Sequence, residues 1–173
     1  MIRRAAMTDI PAIAAIYDAI HDLEAQGRVS TGWQRGVYPT ADTAREAVEA
    51  GEMYVLEEAG RVIASGRINK TQMPAYADVR WRYAALDDAV LVLHTLTVDP
   101  AKSRMGCARR FLAFYEECAR ERGCTALRID TNARNAIARA MYARYGYIES
   151  GVIPCKFNGI PGVDLVCMEK RVE

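Results

Sequence analysis

The stretch that most constrains this chain is AVLVLHTLTV, residues 89–98, an uncharged run rich in β-branched residues. A segment this apolar and this short reads as a central strand of a sheet. It stops at Pro100 and passes into the basic loop KSRMG. An amphipathic stretch then begins, placing Ala108, Phe111, Leu112, Tyr115 and Cys118 on one face at helical spacing. This helix is expected from about Arg104 to Arg122, with Gly123 where a C-terminal glycine belongs. Thr125 to Asp130 is strand-like again. The middle of the chain is therefore a β-loop-α-β unit.

The remaining segments extend that unit. Ile2 to Ala6 suits a short first strand. Thr8 is expected to cap a helix carrying Ile10, Ile13, Ile16, Tyr17, Ile20 and Leu23 on one stripe. Residues 27–39 read as a loop holding Trp33 and Tyr38, and Thr40 as the cap of a second helix reaching about Ala50. Met53 to Glu57 and Arg61 to Ile68 form two strands joined by the Ala59-Gly60 turn. Residues 70–88 are irregular, with Tyr76, Trp81 and Tyr83. After residue 130 come a helix from Asn135 to Tyr145, a strand from Tyr147 to Ile153 and a last strand from Val163 to Lys170. The order β-α-α-β-β-β-α-β-α-β-β predicts one α/β domain over residues 1–173, a mixed sheet flanked by about four helices.

Charge narrows the partners. Lys and Arg total 23 against 22 acidic residues, so no basic excess points to nucleic acid. No apolar run approaches the roughly 18 residues needed to span a bilayer, and MIRRAAMTDIPAI lacks the apolar centre of a secretory signal. The five cysteines are odd in number and form no CxxC, which suits reduced thiols and a cytoplasmic location. His21 is expected on the surface of the first helix.

The loop after the central strand is chemically suggestive. Backbone N–H groups at a helix start, with the helix dipole behind them, favour a phosphate. Gly106 and small Ala108 permit close approach, and Lys102, Arg104, Arg109 and Arg110 supply positive charge around them. A turn alone would look much the same. The loop has neither the nucleotide P-loop pattern nor the three-glycine dinucleotide pattern.

Thirty residues on, NARNAIARAMYARYGY aligns Asn135, Ala138 and Tyr142 on one helix face, with Gly146 and Tyr147 closing the segment. A buried tyrosine stripe would look similar. Yet a phenol, with pKa near 10, can protonate a departing thiolate.

Together the two segments resemble the GNAT superfamily of N-acetyltransferases. The family loop Gln/Arg-x-x-Gly-x-Gly/Ala falls on Ser103, Arg104, Met105, Gly106, Cys107 and Ala108. Its later pattern Asn-x-x-Ala-x-x-x-Tyr-x-x-x-Gly-Phe/Tyr falls on Asn135, Ala138, Tyr142, Gly146 and Tyr147 without a gap. One departure is Ser103, where the family usually has glutamine or arginine; Lys102 and Arg104 stand beside it as substitutes. The resemblance implies acetyl-CoA as cosubstrate, no metal, and direct attack by an amine. It places the pyrophosphate on the amides from Arg104 to Arg109, the pantetheine arm against Leu96, Thr97 and Val98, and Asn135, Ala138 and Tyr142 on the cofactor's other side. Tyr142 would be the acid.

For the base, His94 is a candidate. It interrupts the apolar strand two residues before Leu96, nominally on the same face, and titrates near neutrality. Arylalkylamine N-acetyltransferases look similar here, with an active-site histidine at position 94. A core histidine bonded to backbone is the alternative. Trp33, Tyr38, Tyr76, Trp81 and Asp130 are the candidate acceptor-binding residues, since the family builds its acceptor site in these segments. The implied acceptor is a small-molecule or amino-acid amine. Protein N-termini or lysines, and a non-catalytic coenzyme A-binding module, remain open alternatives. Residues 153–164 leave open a lid or a contact in a homodimer.

Overall fold

The computed structural model describes residues 1–173. One seven-stranded sheet runs through it: β1 Ile2–Arg4, β2 Met53–Glu58, β3 Arg61–Asn69, β4 Val90–Val98, β5 Ala126–Asn132, β6 Ile148–Phe157 and β7 Ile160–Arg171. Spatial order is β1-β2-β3-β4-β5-β7-β6. Every neighbouring pair is antiparallel except β4 with β5. Four helices cover the faces: α1 Ile10–Ala25, α2 Ala41–Glu49, α3 Cys107–Glu121 and α4 Ala136–Arg144. The mixed α/β architecture and element order expected from the sequence are both present.

Alternation along β4 explains how the sheet is buried. Leu91 and Leu93 join the main core with Phe111, Leu112 and Tyr115 of α3 and Tyr142 of α4. Val90 and Val92 point the other way, into a smaller cluster with Tyr76, Val79 and the inner residues of β7. A third cluster seats α1 and α2 on Met53 and Val55. Strand periodicity thus divides one run of residues between two apolar layers.

Several boundaries differ from expectation. Thr8 caps nothing. A 3₁₀ turn, Met7–Asp9, precedes α1, and the Asp9 carboxylate takes the Ala6 N–H and two bonds from Arg3 at 2.7 and 3.0 Å. The Asp9 carboxyl is held below the usual range, chiefly by that guanidinium. Thr40 does cap α2, accepting from the Thr43 N–H. Residues 153–164 form the end of β6 and the start of β7, turning at Asn158-Gly159 with both φ values positive. His21 is buried, with Nε2 3.0 Å from the Pro39 carbonyl oxygen, because α1 packs beneath the segment leading to α2.

The segment 70–88 is tied down by an anchor that sequence patterning does not reveal. Glu169, fully buried in β7, accepts from the amides of Arg82 (2.6 Å) and Tyr83 (3.1 Å) and from Ser150 Oγ (2.5 Å). Trp81 stacks on the Arg128 guanidinium at 4.0 Å.

Candidate active site

β4 and β5 pair only at Val90–Ala126, Leu91–Leu127 and Val92–Arg128. Beyond Val92 the strands separate, while β5 stays paired with β7 along its other edge from Ala126 to Asn132. The resulting cleft, about 780 Å³ including its open mouth, is lined on the β4 side by Leu96, Thr97 and Val98. Across it stand Asp130, Asn135, Ala138 and Tyr142, with Trp33, Tyr38 and Phe157 completing the wall. A splayed parallel pair leaves one strand's backbone edge without a partner, open to an amide-bearing ligand.

The loop at the mouth has the geometry for an anion. Gly106 adopts φ +77°, and a Cβ there would meet no protein atom within 4 Å. No side chain caps α3. The amides of Cys107, Ala108 and Arg109 are the first of the helix and have no intrahelical acceptor. Lys102, Arg104 and Arg109 form no ion pair, whereas Arg110 is engaged with Glu58 at 2.9 Å. Ser103, Arg104 and Met105 are exposed beside them, and buried Cys107 faces the core.

Tyr142 is held by α4 with its ring edge-on to Tyr147, centroids 5.9 Å apart. Its hydroxyl makes no hydrogen bond within the protein and is not sealed from solvent, so it opens on the cleft. Burial first, and then the nearby Asp130 charge, raise its pKa and keep the phenol protonated. Asn135 lines the cleft while its side-chain oxygen accepts the Ala138 N–H, 3.1 Å, capping α4.

Asp130 is the titratable carboxylate of the cleft. Burial pushes it up to about 6, and the Tyr76 hydroxyl, donating to Oδ2 at 2.7 Å, partly offsets that rise. Tyr76 itself does not line the cleft. Tyr76 is buried, and half-buried Trp81 stands edge-on to it, centroids 5.2 Å apart, outside the cleft lining. Both leave the acceptor-lining set proposed from sequence. Trp33 and Tyr38 remain in it, edge-to-face at 6.1 Å.

The face assignment of His94 is also corrected. Arg67 pairs with His94 and Ser65 with Thr97, so Thr95 and Leu96 together oppose Gly66. Thr95 takes φ +52° at this bulge, which re-aims the strand. Gly66 tolerates no side chain, since a Cβ would lie 2.9 Å from the Phe111 ring. His94 consequently opens on a second cleft, together with Tyr17, Glu46, Arg67 and Asn69. Its Nε2 lies 2.9 Å from Asn69 Oδ1, and burial with the neighbouring Arg67 lowers its pKa to about 4. A carbonyl oxygen can only accept, so the Nε2 proton is committed to Asn69. The two clefts share only Tyr38 and Thr95, whose hydroxyls are hydrogen-bonded to one another.

A sheet splayed at its centre, with an uncapped helix start at one end of the split and a protonated phenol inside it, defines an acyl-coenzyme A transferase. The family model described as Acetyltransferase (GNAT) family matches residues 16–147, and the chain belongs to that family as an acetyl-CoA-dependent N-acetyltransferase. No curated protein matches it. Among solved structures, a GNAT-family acetyltransferase from Listeria monocytogenes 4b F2365 is 26% identical, with TM-score 0.73 over 99% of this chain and 94% of that one. Ribosomal-protein-alanine N-acetyltransferase from Brucella melitensis is 21% identical, with TM-score 0.71 over 99% of each chain. The protein yncA from Salmonella typhimurium, solved with its cofactor acetyl-CoA, is 19% identical, with TM-score 0.68 over 100% of this chain and 94% of that one. No helix here is long and apolar enough to cross a membrane.

Proposed function

We propose that the protein acetylates the primary amine of a small molecule or amino acid by direct attack in a ternary complex. The observation that carries this reading is the placing of Asp130 and Tyr142, a carboxylate titrating near neutrality and a protonated phenol, in the single cleft between β4 and β5.

The cleft's residues fit acetyl-CoA. The amides from Arg104 to Arg109 would hold its pyrophosphate, with Lys102, Arg104 and Arg109 adding charge and Ser103, Met105, Gly106, Cys107 and Ala108 shaping the loop. Leu96, Thr97 and Val98 would offer backbone bonds to its amide-bearing arm, with Asn135 and Ala138 opposite. Acetyl-CoA supplies an electrophilic thioester carbon. A backbone N–H of β4 aimed at the thioester oxygen would act as an oxyanion hole, a contribution of about 3 kcal/mol.

An ammonium must lose a proton before its nitrogen can attack. Asp130 is suited to take it, being ionised above about pH 6. As the new C–N bond forms and the C–S bond breaks, Tyr142 would give its proton to the departing sulfur, and the proton shed by the new amide nitrogen would restore the phenol. Trp33, Tyr38 and Phe157 would wall the acceptor's apolar body. The role first read for His94 passes to Asp130, because His94 faces the other cleft.

A screen of free amines and peptides with thiol detection tests this reading. Thiol release with free amines supports it. Acetylation of peptides alone, or tight acetyl-CoA binding without turnover on any amine, would overturn it.

A further inference from the structure

Part of the transferase cleft is walled by residues 31–38, which belong to no helix and to no strand of the sheet. Ordering such a segment costs conformational entropy, so something must hold it. Glu24, half-buried in the last turn of α1, gathers its backbone. The Glu24 Oε2 accepts from the Thr31 N–H and the Thr31 hydroxyl, both at 2.7 Å, and Oε1 accepts from the Gly32 N–H at 3.1 Å. The Thr31 hydroxyl in turn accepts from the Trp33 N–H at 3.2 Å. Three successive amides thus converge on one carboxylate, two directly and one through a hydroxyl. Bonds to an ionised acceptor are the stronger kind.

The same segment touches both strands of the split. Gly32 takes φ +71°, and a Cβ there would lie 2.3 Å from Nδ2 of Asn132, a β5 residue of the cleft wall. The Tyr38 hydroxyl is bonded to that of Thr95 in β4. Trp33 lies between these two footholds in the chain and lines the cleft. Arg35 adds a second tie to α1, through Asp18 at 3.0 Å and Asp22 at 2.6 Å, but all three side chains are more than half exposed. Ion pairs so placed contribute little. Glu24 itself does not line the cleft.

We propose that Glu24 is a positioning residue for the acceptor. By holding the amides of residues 31–33 it sets Trp33 against the acceptor's apolar body, and so tunes affinity for the amine without touching it. This rests on the amine-acetylation reading and adds a determinant on a helix outside the cleft.

The test uses the free amine with the highest kcat/KM in the amine screen, followed by thiol release. Glu24→Ala raises the KM of that amine about tenfold or more, the worth of one charge-assisted bond, while kcat and the acetyl-CoA Kd stay within about twofold. Glu24→Gln keeps an oxygen for Thr31 but turns an N–H donor toward Gly32, so its KM falls between the two. Arg35→Ala leaves KM unchanged. Should Glu24→Ala fail to fold, Glu24→Gln beside Arg35→Ala carries the comparison. An amine KM unmoved by the Glu24 variants overturns the inference and leaves amine acetylation intact. So does an acetyl-CoA Kd that rises as much as KM, or an Arg35→Ala effect equal to that of Glu24. Absence of turnover with every amine in the unaltered protein overturns the underlying reading and this one with it.

Discussion

Tyr76 donates a 2.7 Å hydrogen bond to Oδ2 of Asp130 from a turn that lies behind the active-site wall. The bond favours the ionised carboxylate, while burial favours the protonated one, and burial prevails. A residue that never lines the cleft thus lowers the pKa of a carboxylate that does.

The first prediction follows from that balance. If Asp130 is the base, kcat/KM falls as pH drops through about 6, where its carboxylate takes up a proton. Tyr76→Phe removes the bond that lowers its pKa, so the acidic limb moves to higher pH. Asp130→Asn lowers turnover about a hundredfold or more, the usual worth of a general base. His94→Ala leaves the limb where it is. A pH–rate profile of the three variants decides the matter; a limb that follows His94 would restore the histidine as base.

Asp130 also makes a stability prediction. Its folded pKa is raised above the ordinary carboxylate value, so its favourable contribution is complete at low pH and is lost as pH rises through about 6. Asp130→Asn should therefore raise Tm at pH 8 more than at pH 4, read by thermal denaturation at both.

Tyr142→Phe should lower turnover about tenfold or more while acetyl-CoA affinity and Tm barely change. The hydroxyl has no bond within the protein to lose, and the ring keeps its place against Tyr147. Calorimetry with acetyl-CoA alongside single-turnover rates separates binding from chemistry. Unchanged rates would remove Tyr142 from the acid role.

Gly106→Ala probes the anion loop. Left-handed backbone costs a side chain about 1–2 kcal/mol, although the new Cβ would strike no protein atom. A rise in the acetyl-CoA Kd beyond what the Tm loss explains would place the ligand in that open space.

Glu169→Ala should cost about 3 kcal/mol or more by stranding two amides and a hydroxyl in the interior, measured by urea unfolding. It should also cut activity, since Tyr76 sits in the segment that Glu169 anchors.

Local chemistry made much of this readable beforehand. Thr40 announces a cap, the stripe from Ala108 to Cys118 announces α3, and the spacing of Asn135, Ala138 and Tyr142 places all three in the cleft. What could not be read depends on single events far apart in sequence. One extra residue at Thr95 reverses the faces of β4 and carries His94 out of the transferase cleft. Strand period alone contains no sign of a bulge. Glu169 sits among apolar neighbours in β7 and looks like an ordinary outward-facing charge until its two amide partners, more than eighty residues earlier, are known. Tyr76 and Trp81 lie in the aromatic segment where the sequence puts them but pack on the cluster around Val90 and Val92 instead of lining the cleft.

The hydroxyl pair of Tyr38 and Thr95 divides one hollow from the other. Because that partition joins one loop residue to the bulge in β4, Tyr38→Phe should loosen the acceptor wall and raise KM for the amine while leaving the acetyl-CoA Kd unchanged.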